Sequence, residues 1–195
     1  MAIEKDFFRQ VAGQFATGVT VVTTCNQGKL AGLTVNAFCS VSLDPPLILI
    51  CVDLNSNTLP DIRESGIFAV NMLSNMQEHL SSCFATSTEE RYEHFCHASF
   101  HTAATGAPVI DNVLAFIDAR VVAEYPGGDH VIFLGQVEAM GTEGQISFAH
   151  DEDQQRAALP GYDEDAFAEP KIPLAYYRGK YRHLASDYFK PSLAK

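Results

Sequence analysis

The chain holds 195 residues, with 13 Lys and Arg against 24 Asp and Glu, a formal net charge of −11 and 47% hydrophobic residues. That composition is globular rather than disordered, long enough for one domain with its own core, and too acidic for a nucleic-acid groove or an anionic membrane surface. No apolar run reaches the ~20 residues that span a bilayer. The charged start MAIEKDFFRQ is unlike an export signal, and the five Cys at 25, 39, 51, 83 and 96 form no C-x-x-C pair, so the expectation is a cytoplasmic protein with reduced thiols.

In chain order, Glu4 to Gly13 places Phe7, Phe8 and Val11 at helical spacing and ends at a glycine, which predicts a short amphipathic helix. GVTVVTTC (18–25) is β-branched, and NQG (26–28) turns it into KLAGLTV (29–35) as a hairpin. LILICVD (47–53) is apolar throughout, as in a strand buried on both faces. NTLPDIRESG (57–66) carries a proline near its start and a glycine at its end, the marks of a short helix. IFAVNML (67–73) reads as a strand. In SNMQEHLSSCFA (74–85), Met76, Leu80, Cys83 and Phe84 share a helical face, with Ser74 as N-cap and Gln77 three residues on.

LAFIDARVVAEY (114–125) and HVIFLGQVEAMG (130–141) read as two strands joined by a tight turn at PGGD (126–129). About 142–169 the pattern fails. Residues 143–169 hold eight acidic side chains against Arg156 alone, which predicts an irregular acidic insertion in an otherwise single domain. PLAYYRGKYRHL (173–184) reads as a final strand. Strands dominate without alternating β–α units, which favours an antiparallel barrel or sandwich.

Rossmann, P-loop, zincin and nucleophile-elbow signatures are absent. In TVNAFCSVSLDPP (34–46), Thr34, Asn36, Ser40 and Ser42 would share one face of an extended chain. Such a row faces either water or a polar ligand. His130 follows the turn at the mouth of a strand, as a proton donor, a substrate-orienting group or an exposed turn histidine. Arg178, Lys180 and Arg182 alternate with Tyr177, Gly179, Tyr181 and His183, which gives tyrosines for a ring and cations for a phosphate, or simply core and solvent faces. His94, Cys96, His97 and His101 match no standard zinc spacing, so no metal is expected there.

Five segments together resemble one family. FRQVAGQFATGVTVVTT (8–24), GLTVNAFCSVSLDPPLILICVD (32–53), SGIFAVNMLSNMQEHLSSCFA (65–85), GDHVIFLGQV (128–137) and PLAYYRGKYRHL (173–184) are similar, in the same order, to the short-chain flavin reductases that serve two-component monooxygenases. The resemblance implies a mainly β fold, an antiparallel Greek-key split β-barrel (the FMN-binding split barrel) with a few short flanking helices. It also implies a homodimer and NAD(P)H:flavin oxidoreductase activity, with FMN or else FAD as flavin and NADH or else NADPH as donor, and a separate monooxygenase as acceptor.

Carried over by motif, Thr34, Asn36, Ala37, Phe38 and Ser40 would lie along the flavin, and Cys51, Val52 and Asp53 would continue that wall. Ser56 and Thr58 would meet the phosphate, with Arg63 and Arg91 as candidate cations. Cys83, Phe84 and Ala85 match a further flavin-contacting segment, Tyr181 would help cover the site, and His130 would stand beside the nicotinamide. A non-turnover flavin-binding carrier or sensor, and a flavin-dependent ferric-chelate reductase, are the alternatives on the same fold.

Overall fold

The computed structural model describes residues 3–142, 145–149 and 171–184. The chain begins with α1 (Lys5–Ala12), whose first turn is capped by the Glu4 carboxylate accepting from the N–H groups of Asp6 and Phe7. β1 (Thr17–Gly18), β2 (Thr20–Asn26), β3 (Lys29–Val35), β4 (Phe38–Leu43) and β5 (Pro46–Asp53) follow, then α2 (Leu59–Ser65) and β6 (Ile67–Met72). A 3-10 turn (Asn75–Gln77) leads into α3 (Glu78–Phe84), with Gln77 Oε1 accepting from the Ser74 N–H at 3.2 Å as the Ser-x-x-Gln spacing predicts. Next come α4 (Glu89–Tyr92), a second 3-10 turn (Phe95–His97), β7 (Phe100–Thr102) and β8 (Pro108–Ile110). β9 (Ala115–Gly127), β10 (His130–Thr142), β11 (Gln145–Phe148), β12 (Leu174–Tyr177) and β13 (Lys180–His183) complete the described elements.

Every ladder is antiparallel, and the main sheet runs β3-β2-β6-β9-β10-β5-β4 with β11 on the far part of β10. The two ends of that path, β3 and β4, are consecutive in the chain and separated by Asn36 and Ala37 alone. The sheet must therefore curl until its ends approach. The Cys51 N–H bond to the Ala37 carbonyl (3.1 Å) continues the β4–β5 ladder up to that two-residue link, and the curled sheet is an antiparallel split barrel. Inside it pack Val22, Leu33, Val35, Ile48, Ile50, Val52, Phe68 and Phe133, closed at one end by Leu59 and Ile62 of α2. A second core lies outside the barrel, where Leu80 and Phe84 of α3, Phe95 and Leu174 pack on Val19 and Val21.

The structure corrects several expectations. Residues 173–184 form a hairpin, β12 and β13, turning at Arg178 (φ 52°) and Gly179 (φ 73°), and not one strand. The β-branched run 18–25 is divided at Val19, so that β1 joins β12 and β2 joins the main sheet. Within the acidic segment, Gln145–Phe148 is a regular strand on β10. The rest of that segment, residues 150–169, lies outside the described residues. β5 is buried on one face only: Ile48, Ile50 and Val52 point inward, and Leu47, Leu49 and Cys51 stay half-exposed. The thiols are not all reduced, because Cys83 and Cys96 form a disulfide with a Cα–Cα distance of 6.0 Å. The fold brings together two cysteines whose spacing carries no signal.

Gly135 on β10 lies against the ring of Phe68, which is fully buried. A Cβ there would stand 2.5 Å from Phe68 Cζ and 3.1 Å from Ala119 Cβ. Gly135→Ala is expected to lower the unfolding free energy by about 1–3 kcal/mol through overpacking, read as a lower urea midpoint with an unchanged slope.

Candidate functional site

A cleft of about 430 Å³ opens between β3, the β5–α2 connection, the end of α3 and the β12–β13 hairpin. Its size falls within the roughly 300–1,000 Å³ of small-molecule sites. One wall is aromatic, formed by Phe84, Tyr176 and Tyr181. Tyr176 and Tyr181 are direct cross-strand partners in the hairpin, with ring centroids 5.6 Å apart and planes at 65°. The polar part of the lining is Thr34, Asn36, Asp53, Asn55 and Ser56.

These walls are locked to one another through Ser81. The Thr34 hydroxyl donates to the Ser81 carbonyl at 2.6 Å, and the Ser81 and Tyr181 hydroxyls share a bond of 2.8 Å. One buried serine of α3 therefore fixes both the β3 wall and the hairpin. Phe84 reaches the cleft because Gly32 has no side chain; a Cβ there would lie 2.8 Å from Phe84 Cε1. In the connection after β5, Asp53 Oδ1 accepts from the Asn55 N–H (2.7 Å) and Nδ2 (3.1 Å), which shapes the loop that presents Asn55 and Ser56.

The cation of the cleft is Arg91 on α4, only 7% exposed. Its Nε donates to the Gly32 carbonyl (2.9 Å), its Nη1 to the Thr86 carbonyl (3.2 Å) and its Nη2 to Thr58 Oγ1 (3.2 Å). All three acceptors are neutral, and among the described residues no carboxylate forms an ion pair with it. Burial lowers the pKa of the guanidinium, which nonetheless stays charged at neutral pH. A buried cation held only by neutral oxygens and facing a cleft is matched to an anionic ligand. Arg63 is placed elsewhere. Its guanidinium pairs with Glu124 through two bonds of 3.0 and 3.2 Å on the exposed side of α2.

Of the residues expected at a flavin site, Thr34, Asn36, Asp53, Ser56, Phe84, Ala85 and Tyr181 line this cleft. Thr58 stands directly behind it, bonded to Arg91. Ala37, Phe38, Ser40, Cys51, Val52 and Cys83 are not among the lining residues. Phe38 and Val52 pack with the barrel core, Cys83 is disulfide-bonded, and burial pushes the Cys51 thiol pKa up. The even-spaced polar row divides at the β3–β4 seam. Thr34 and Asn36 face the cleft, whereas Ser40 and Ser42 sit on β4 at either side of a bulge.

His130 is not among the lining residues; it is paired in the ladder with Asp53, which is, and its Nδ1 bonds Asp129 at 2.7 Å. That contact lowers the Asp129 pKa, chiefly by hydrogen bonding. The other histidines go separate ways. His94 and His97 stack at 5.2 Å, and His101 pairs with Asp111 at 2.9 Å. Sequence reading missed Asn55 and Tyr176. Tyr176 was legible only through the turn at Arg178-Gly179 that sets it opposite Tyr181.

The sequence matches the family described as "Flavin reductase like domain" over residues 12–185. The chain belongs to that family. It is 30% identical over 190 residues to the reductase subunit HsaB of a flavin-dependent monooxygenase from Mycobacterium tuberculosis, covering 97% of this chain and 88% of that one. The fold is similar to nitrilotriacetate monooxygenase component B from Mycobacterium thermoresistibile, with a TM-score of 0.77 and 31% identity over 99% of this chain and 93% of the other. It is also similar to the Streptomyces globisporus NADH:FAD oxidoreductase SgcE6 solved with NAD and FAD fragments, with a TM-score of 0.74 and 28% identity over 98% and 96% of the two chains.

The lock through Ser81 is testable without a ligand. Tyr181→Phe and Ser81→Ala should each lower the unfolding free energy by about 0.5–1.5 kcal/mol. The double variant should lose little more than either single one, a coupling read from a denaturant double-mutant cycle.

Proposed function

We propose that this chain is an NADH:flavin oxidoreductase that reduces FMN, with FAD as the alternative flavin, and supplies the reduced flavin to a separate monooxygenase. The observation that carries the reading is the cleft with aromatic rings on one wall and buried, uncompensated Arg91 at its base, in a chain of the flavin reductase-like family. Those residues fit a phosphorylated ring compound. A single buried guanidinium backed by Thr58 and flanked by Ser56 suits one phosphate group, which favours FMN.

Bound flavin supplies the two-electron acceptor chemistry, taking hydride from NADH. The chain supplies placement. Phe84, Tyr176 and Tyr181 offer apolar surface to a planar ring, and the Thr34, Asn36 and Asn55 side chains offer polar groups to its edge. His130, across the ladder from Asp53, would orient the nicotinamide or supply the proton that flavin reduction takes up, with Asp129 holding its Nδ1. Arg91 is the one cation among the described residues lining the cleft, with no second one there for a 2′-phosphate, which favours NADH over NADPH.

The same reading includes one domain, a cytoplasmic location and a homodimer. No described helix is long and apolar enough to cross a membrane. Support for the dimer comes from apolar side chains left in solvent: Phe7, Phe8, Val11 and Phe15 at the N-terminal end, and Val41 and Leu43 on the β4 edge. Light scattering of the eluting protein at twice the monomer mass would support it, and a monomer at micromolar concentration would overturn it.

Activity is tested by the visible spectrum and by NADH oxidation with and without added FMN. Flavin-dependent turnover beyond one equivalent is expected, and a colourless protein without it would overturn the assignment. Arg91→Gln should raise the KM or Kd for FMN about 10- to 100-fold with a much smaller change in kcat. His130→Ala should lower kcat/KM for NADH by roughly 10²-fold while leaving FMN affinity in place, measured by stopped-flow reduction. Full activity in that variant removes His130 from the mechanism.

A further inference from the structure

We infer that the Cys83–Cys96 disulfide is a redox-controlled latch on the flavin cleft, opened by a dithiol reductant. The inference rests on the flavin reading of that cleft. The bridge closes the segment from 83 to 96, and this segment carries three residues of the cleft: Phe84, Ala85 and Arg91. One end of the bridge is the last turn of α3. The other end lies in the 3-10 turn Phe95–His97, where Phe95 (φ 50°), Cys96 (φ 53°) and His97 (φ 51°) are all left-handed.

Single non-glycine residues visit that region rarely, and three in succession persist only when their surroundings over-determine them. Here the determinants are two. The disulfide ties Cys96 to α3, and the Phe95 ring is buried edge-on against Phe84 at 5.1 Å and against Phe100 at 5.4 Å. Breaking the bond removes one of them and lets the turn relax toward ordinary conformations. Phe95 then loosens against Phe84 in the cleft wall, and the strand of chain bearing Arg91 loses one fixed end. Arg91 retains Gly32, Thr58 and Thr86 as partners, and Tyr92 retains Asn57, so the expected effect is graded and the fold survives.

The exchange balances as ordinary thiol–disulfide chemistry. A thiolate of a protein or small-molecule dithiol attacks the Cys83 sulfur, the half-exposed member of the pair, while Cys96 is 8% exposed. Cys96 leaves as a thiolate and takes a proton. The second thiol of the reductant then closes its own disulfide and releases Cys83, also protonated. Two electrons pass from dithiol to protein, and the reductant ends as a disulfide. A disulfide in the cytoplasmic compartment proposed above belongs to the transient or regulatory kind, which agrees with a latch that opens.

The test compares the wild-type full chain in two states, oxidised with diamide and reduced with dithiothreitol, each then desalted without oxygen. Thiol titration should find two more thiols in the reduced state. FMN affinity, read by quenching of flavin fluorescence, should be weaker by about tenfold after reduction. Trypsin cleavage after Arg91 in the flavin-free protein should be faster by about tenfold, since the buried guanidinium must leave its partners to be cut. Cys96→Ser should show the reduced-state affinity and cleavage rate whichever reagent is used. The latch is overturned if two thiols appear while affinity and cleavage rate stay within twofold, or if no thiols are masked in the oxidised protein. Failure of the flavin reading is distinct: FMN would bind in neither state, and the cleavage rate alone would then decide the latch.

Discussion

A guanidinium cannot shed its charge, so burying one obliges the surrounding structure to surround it with acceptors. Arg91 is held in that way, and much of the molecule follows from it. The carbonyl of Gly32 receives its Nε at 2.9 Å and also the Thr58 hydroxyl at 3.3 Å. One peptide group in the middle of β3 thus ties α4, the start of α2 and the barrel wall to a single point. The same glycine, lacking a Cβ, admits Phe84. A side chain at position 32 would push Phe84 back toward Phe95 and disturb α3, which in turn carries Ser81 and the lock on Tyr181. Charge, packing and cleft shape are therefore set together, and a substitution at any one of them reaches the others.

The barrel supplies the frame for this arrangement. Because β3 and β4 are joined by two residues yet lie at opposite ends of the sheet, the sheet cannot stay open. Its seam is where Asn36 reaches the cleft. The backbone there is not committed to a continuous ladder, and functional side chains are often placed at such interruptions. The small β1–β12–β13 sheet then crosses the outside of the barrel and brings two tyrosines over the opening. Its docking rests on Leu174, fully buried among Val19, Val21 and Leu73.

Strands were legible in the sequence where period two or β-branching is strong, as in β2, β6, β9 and β10, because those patterns report burial of one sheet face directly. Breaks were not. In TVNAFCSVS the period-two row of Thr34, Asn36, Ser40 and Ser42 is interrupted only by Phe38, just past the seam at Asn36-Ala37, and one apolar residue does not reveal that the chain changes partner strands there. The hairpin at Arg178-Gly179 was hidden because Arg is an unusual occupant of a left-handed turn position, and only the glycine beside it hints at the bend. Even spacing singled out Thr34, Asn36 and Tyr181 without deciding between ligand and solvent, whereas Asp53, Ser56, Phe84 and Ala85 were reached as site residues through family resemblance alone. The weight of Arg91 over Arg63 was not readable at all. Both are single cations on short helices, and only tertiary contacts show that one is buried beside Thr58 while the other meets Glu124 in solvent.

The same distinction between local and summed properties governs the electrostatics. The chain carries −11 overall, a sum that would argue against any anionic ligand if charges acted equally at all distances. They do not. At physiological ionic strength exposed charges are screened beyond about 8 Å, whereas a partly desolvated cation keeps most of its field. Arg91 is such a cation, and the carboxylate within its cleft, Asp53, spends one oxygen on two bonds from Asn55. An anion entering beside Arg91 meets one buried positive charge whose hydrogen-bond partners are all neutral. Its affinity is set there, and the acidic total governs solubility and long-range encounter instead.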